Sequence, residues 1–412
     1  MDYVFYFDET YHDRKIAFTS NGNINTLQED KSDSYIGVFW GCKQSQLKKN
    51  ISKLEEFDAK YKNIFGLSDS KELKSTTIHS KNFRFGVSSF NANTMLFYTD
   101  LFQMLCEINV IIQIDVTSKI ELLIRTIFSQ LHLPYYVKEN SFYYTLTKFI
   151  VLRHPKQLIQ ALASVSNGSN AQVVKDALLD TLEKVIQSSV GIPRKEKEIE
   201  AFRQIKMIVY DMNFDFSIKP KTNFIYFQNF DGLCRLLEEI DIDISRIKLV
   251  IDKEENTYQS AVNFRFGKVK QADSRNSVQL RLSDFLCGFI GRMIYALTHD
   301  PSSQERDLLD YDNIDIEDLK YKRLLSENWF DLSEEQYNLY LLIYQVLIIQ
   351  QEHYWSSMTM SYSDDVSCFY SLLRYIAGYK SYSEFRKIDN QMHTEYYNSC
   401  CLDELERYYQ EM

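Results

Sequence analysis

The sequence predicts an α+β or α/β fold: a mixed sheet flanked by helices, with a helical insertion and a C-terminal all-helical domain. Three observations carry that reading. Short, almost wholly apolar strands recur at 3–8, 108–115 and 247–252, and each ends on a carboxylate. Stretches with apolar residues at every third or fourth position separate them. The chain of 412 residues holds only 12 Gly and 5 Pro, which favours long elements over a loop-rich fold.

Taken in order, residues 3–8 read as the first strand and 15–20 as its antiparallel partner. A polar linker, 21–33, leads to a third strand at 35–40. Leu47, Ile51, Leu54 and Phe57 then space a helix over 44–61. Three strands and a helix make an α+β opening. The strand 108–115 follows, then a mostly helical region from 119 to 212. It is interrupted by the solvated run Ser164-Val-Ser-Asn-Gly-Ser-Asn-Ala and again at Gly191-Ile-Pro. Residues from about 140 to 215 read as a helical insertion. An amphipathic helix, 230–240, precedes the strand 247–252. A helix from about Ser277 to Leu297 carries Asp284. Beyond it the pattern stays helical and rich in Tyr. The reading divides the chain into a core, 1–300, and a C-terminal helical domain, 301–412.

Composition bounds the function. The chain is 45% hydrophobic and 25% charged, the profile of a globular protein. Its net charge of −10 argues against a protein that coats nucleic acid by charge alone. A nuclease is compatible with that charge, because metal ions at an acidic centre supply the positive charge. No signal-peptide pattern opens the chain and no long apolar run suggests a membrane span. The seven Cys include no CxxC pair, and reduced thiols in a cytoplasmic protein are expected. The seven His show no metal-ligand spacing, and no Gly-rich phosphate loop occurs.

The chemistry lies in the acids. Asp8, followed by Glu9, and Asp115 and Asp252 end apolar strands. Acids at strand ends can converge on one edge of a sheet, although such residues also serve as turn formers or helix N-caps. Asp284 sits in a helix between Leu282 and Phe285-Leu286, where a charge is rarely buried without a partner. Its neighbours on the helical wheel are Leu280, Cys287, Gly288, Gly291 and Tyr295. The small residues among them would let the helix lie close to the sheet and bring Asp284 to the strand acids. Carboxylates of this kind suit Mg²⁺ or Mn²⁺. The segment Asp69-Ser-Lys71-Glu72-Leu-Lys74 offers a further acid or a phosphate-binding Lys, and a solvated helix start explains it equally well. His12, just past the first strand, is either a proton-transfer group or a surface residue. Arg265, Lys268, Lys270 and Arg275 form the densest basic patch near a proposed ligand. Phe264 and Phe266 interleave with it, in a pattern that suits stacking on unpaired bases or an ordinary hairpin with one buried face.

These residues resemble the RNase H-like family known as domain of unknown function 3800. Its members open with a strand reading Phe-(Ile)-Asp-Glu-Ser-Gly and close with a helix reading Gln-Leu-Ala-Asp-(x)2-Ala/Cys-Gly. Here Phe7-Asp8-Glu9-Thr10 matches the first and Gln279-Leu-Arg-Leu-Ser283-Asp284-Phe-Leu-Cys287-Gly288 the second. Thr10-Tyr11 replaces the family's Ser-Gly, and Ser283 its Ala. The resemblance covers about residues 1–300. It implies an RNase H-like sheet, three antiparallel strands followed by parallel ones, and metal-dependent nuclease activity in bacterial defence or a mobile element. Asp8, Asp115 and Asp284 are then the expected metal ligands, Asp252 a further catalytic acid and Glu9 an accessory base. Because the strand after the first helix should run beside strand one, Asp115 ranks above Asp252. The competing expectation is a catalytically inactive scaffold that binds a protein partner, or a second copy of itself, through the C-terminal helices.

Overall fold

A computed structural model describes residues 2–11, 33–68, 70–166, 168–192, 195–217, 227–300, 325–351, 356–357 and 363–410. Within them the chain is α+β, with one mixed sheet covered on both faces by helices. The main strands are β1 (Tyr3–Thr10), β2 (Ser34–Lys43), β4 (Ile111–Ser118), β5 (Ile247–Asp252) and β6 (Lys268–Ala272). A short β3 (Arg84–Val87) lies apart from this sheet, and β7 (Ser356–Ser357) extends the β4 edge. The spatial order is β6-β5-β1-β2-β4-β7. β2 is antiparallel to β1 and to β4, while β5 is parallel to β1 and β6 parallel to β5. The strand expected at 15–20 lies outside the described residues. The described partner of β1 is β2, the strand expected third.

Alternation along the strands divides the side chains between two layers. Val4, Tyr6, Ile36, Val38, Trp40 and Ile114 join the main core. Against this face pack α1 (Gln44–Ile64), α2 (Ala92–Ile108) and α10 (Val278–Thr298). Phe5, Phe7, Phe39, Leu249 and Ile251 point the other way, towards α8 (Phe227–Glu239) and α9 (Glu255–Val262). The helices α3 (Lys119–Phe128), α4 (Glu139–Arg153), α5 (Lys156–Ser166), α6 (Gln172–Ser189) and α7 (Glu196–Asp211) bury a separate apolar cluster. This helical unit begins directly after β4, earlier than the expected 140, because the apolar stripe of α3 already belongs to it.

Among the described residues, the C-terminal helices α11 (Glu334–Tyr344), α12 (Ser363–Ala377), α13 (Tyr382–Phe385) and α14 (Asn390–Gln410) build no core of their own. Their Tyr337, Tyr340, Leu372, Phe385 and Tyr397 are buried in the main core with Trp329. The expected boundary at 301 is therefore not a boundary in packing.

Two contacts fix α10 over the sheet. Trp40 of β2, stacked on Tyr6 at 5.1 Å, donates from Nε1 to the Gln279 carbonyl at 2.9 Å. Arg281, 3% exposed, forms a bidentate pair with Asp58 of α1 at 2.8 and 2.7 Å. Its third nitrogen donates to the carbonyls of Ser274 and Arg275. An ion pair this buried contributes little net stability but is costly to break from one side. Asp58→Ala should lower unfolding stability by about 3–5 kcal/mol. Urea titration should show the double variant Asp58→Leu/Arg281→Met recovering more than half of that loss. A single-variant cost below 1 kcal/mol would mean the pair does not anchor α10.

Candidate active site

The ends of β1 and β5 and the middle of α10 meet at one cleft of about 560 Å³. In the parallel ladder Phe7 pairs with Ile251, so Asp8 and Asp252 follow side by side on the face turned to α10. Asp284 is the one residue of the run from Leu280 to Ile290 that is not buried, and it opens into this cleft. Six carboxylates line the cleft: Asp8, Glu9, Glu72, Asp252, Glu254 and Asp284. Its two described lysines are engaged with acids, Lys74 with Glu72 at 3.5 Å and Lys253 with Asp273 at 3.1 Å.

Each central carboxylate has a local donor. Glu9 N–H donates to Asp8 Oδ1 at 2.8 Å, and Lys253 N–H to Asp252 Oδ1 at 2.8 Å. Asp284 is held by a single residue: the Ser75 N–H donates to Oδ2 and the Ser75 hydroxyl to Oδ1, both at 2.6 Å. A carboxylate has about four lone-pair positions, so Ser75 orients Asp284 and leaves about half of its accepting capacity. Glycine makes this approach possible. A Cβ on Gly288 would lie 2.4 Å from Ser75 Cβ, and one on Gly291 2.8 Å from Thr10 Cγ2. The small face of α10 does seat the helix on the sheet, as its sequence suggests, and also makes room for the Ser75 turn.

Burial pushes the Asp8 carboxyl well above the usual range, and the charges of Asp284, Glu9 and Asp252 push it further. Burial also raises Asp284, while the Ser75 bonds, Arg292 and Lys74 hold it down. The site thus gathers carboxylates whose charges repel one another. Among the described residues, no three acidic, His or Cys side chains are already drawn together as a metal cage. The local donors explain this, since each carboxylate turns towards its own backbone or Ser75 partner. The donor chemistry, all carboxylate oxygen, fits Mg²⁺ or Mn²⁺.

The other expected residues fall differently. Asp115 is fully buried in mid-strand, because β4 begins three residues later than its apolar run. It pairs with Gly37, and a Cβ on Gly37 would meet Asn229 of α8 at 2.8 Å. That row faces α8, on the side of the sheet opposite Asp8 and Asp284. β4 also runs beside β2, while β5 is the strand beside β1. Asp252 therefore joins the cleft and Asp115 does not, which reverses their expected order. Glu9 alternates towards the α8 side, where Tyr35 OH donates to its Oε2 at 2.6 Å, and it lines the rim. Glu72 and Lys74 line the cleft, as the first reading of their segment expects; Asp69 and His12 lie outside the described residues. Lys268 and Lys270 are exposed on edge strand β6, and Arg265 and Arg275 are exposed in the turns before and after it. Phe264 and Phe266 pack on Phe230 at 5.6 and 6.4 Å, Phe266 buried and Phe264 half-buried, so both rings turn inward rather than forming an exposed stacking pair. Ser75, Glu254 and Arg292 were not singled out from sequence; no local pattern marks them.

No protein-family model matches the chain, and neither a curated protein nor a solved structure matches it.

Gly288→Ala weighs two effects. Helix propensity favours Ala by about 1 kcal/mol, and forcing Ser75 aside costs about 1–3 kcal/mol. The clash should win, giving a net loss in urea unfolding; a net gain near 1 kcal/mol would show that the Ser75 turn yields freely.

Asp8 also predicts a pH dependence. A carboxyl raised in the folded state keeps its full contribution below the unfolded value of 3.8. That contribution is lost as pH rises through the folded value. In chelator-treated protein, Asp8→Asn should therefore raise the melting temperature at pH 7, with the gain shrinking towards pH 4. An equal gain at both pH values would exclude charge as its cause.

Proposed function

We propose that the chain is a metal-dependent nuclease of RNase H-like fold that hydrolyses phosphodiester bonds by a two-metal mechanism. The observation that carries this reading is the meeting of Asp8, Asp252 and Asp284 in one cleft from three distant points of the sequence. The topology supports it as well. β1, β2 and β4 form the antiparallel part and β5 and β6 the parallel part, the arrangement that the resemblance implies.

In this reading Asp8, Asp252 and Asp284 hold Mg²⁺ or Mn²⁺. Divalent ions there supply water activation and stabilise charge at the leaving oxygen. The protein supplies position. The Ser75 bonds fix the plane of the Asp284 carboxylate, as outer partners of metal ligands do. The parallel ladder sets Asp8 beside Asp252 on strands about 4.8 Å apart. Glu72 and Glu254, which line the same cleft, are the further carboxylates that would be available to take up a proton. Lys74, the exposed member of a 3.5 Å pair with Glu72, can turn to a phosphate oxygen.

The test is cleavage of labelled DNA and RNA in Mn²⁺. Asp8→Ala, Asp252→Ala and Asp284→Ala should each lower the rate by about 10²-fold or more, the scale for loss of a charge-stabilising group. Asp115→Ala should retain cleavage, apart from any loss of folded protein. An active Asp284→Ala, or no cleavage of any substrate by wild type in Mg²⁺ or Mn²⁺, would remove the proposal.

A further inference from the structure

We infer that a second cleft, continuous with the acidic one, seats the nucleotide flanking the scissile phosphate of a single-stranded polynucleotide. The inference rests on the nuclease reading and names its substrate class. The two clefts share Thr10, Tyr11, Ser75 and Thr76, so the Ser75 turn and the end of β1 form the sill between them. The second cleft measures about 630 Å³, within the roughly 300–1,000 Å³ usual for ligand sites.

Its charge is the reverse of the first. Among its described lining residues are two arginines, Arg84 and Arg292, and no carboxylate. Arg84 is exposed. Arg292 lies two turns beyond Asp284 on α10. Its guanidinium sits 4.7 Å from the Phe83 ring centroid and donates to Tyr98 OH at 3.0 Å. Its Nε has no hydrogen-bond partner among the described residues. Arg292, half-buried with its Nε enclosed, adds fixed positive charge to the cleft wall, and the exposed Arg84 carries the planar fork suited to phosphate. Acid alone would repel a polyanion, so the chain needs local positive surface next to the metals.

The same cleft carries rings. Tyr295 and His299 stack at 3.9 Å with an interplanar angle of 12°, and His299, the outer member, is exposed. Tyr11 stands 6.5 Å from Tyr295 at the sill. Such a platform receives the face of a base. In a duplex, neighbouring pairs cover those faces; in a single strand they are open, and stacking is tolerant of sequence. The pairing of arginines with an exposed aromatic stack, joined to the acids over a short sill, therefore selects unpaired nucleic acid.

The experiment uses the full chain with Ca²⁺ to slow cleavage, and reads anisotropy of a labelled single-stranded oligonucleotide and of its duplex. Mn²⁺ affinity is measured separately by calorimetry. Wild type should bind the single strand more tightly than the duplex. Arg84→Glu should weaken that binding about tenfold and reduce the salt slope by about 0.7 per lost phosphate contact. His299→Ala should weaken it about fivefold or more, the lower end of stacking losses. Both variants should keep wild-type Mn²⁺ affinity, which also certifies their fold. Unchanged oligonucleotide affinity in both, with Mn²⁺ still bound, would overturn this subsite and leave the nuclease reading standing. Preference for duplex would overturn it too. A wild type that binds neither Mn²⁺ nor oligonucleotide removes both.

Discussion

Everything proposed for this chain depends on how closely α10 lies on the end of β1. Asp284 is useful only if its carboxylate reaches the level of the strand-end acids, and a helix with ordinary side chains at that contact would stand too far off. Gly291 opposite Thr10 and Gly288 opposite Ser75 remove the obstruction. Glycine inside a helix costs about 1 kcal/mol relative to Ala. That cost recurs at two positions on the contact face, so close approach is favoured over helix propensity there. The Trp40 and Arg281 contacts then fix the first turns of α10, and Asp284 inherits that position.

Close approach creates the electrostatic problem that defines the site. Asp8 is partly enclosed, beside Asp252 on the next strand and near Asp284 from the helix above. Each acid taken alone has a donor within hydrogen-bonding distance, so none is stranded. The group as a whole is still over-charged, because the lysines of the cleft are spent on Glu72 and Asp273. A fold meant only for stability would replace some of these acids by neutral residues of similar size. Their gathering in one cleft is what the proposed cation would complete.

The parts of this arrangement visible in the sequence were those whose signal is local. An acid among apolar neighbours is legible, and so Asp8, Asp252 and Asp284 were found. The small face of α10 was legible by helical spacing, and β5 was read with its observed limits of 247 and 252. Asp115 carries the same local signal as Asp252, an acid after an apolar run. What separates them is strand parity and pairing: β4 starts at Ile111, lies against β2, and turns Asp115 towards α8. Neither fact is written in the residues around Asp115. Phe264 and Phe266 misled for a related reason. They belong to the turn after α9, where Arg265 takes φ of 59°, so strand alternation does not govern them and Phe230 draws both rings inward. Ser75 and Arg292 make their side-chain hydrogen bonds with residues more than 190 positions away in sequence, and no local window contains those pairs.

Ser75 links the two halves of the proposed mechanism. On one side its N–H and hydroxyl hold both oxygens of Asp284; on the other it lines the basic cleft with Thr76. A nucleic acid strand settling into the basic cleft, as proposed, would touch the turn that orients Asp284. Displacing Ser75 leaves Asp284 with fewer donors, which raises its affinity for a cation or a proton. Holding Ser75 in place keeps Asp284 oriented with accepting capacity to spare. In the proposed mechanism, occupancy of the basic cleft is coupled to cation binding at the acids only through a shift of this turn, which is a wall of both clefts.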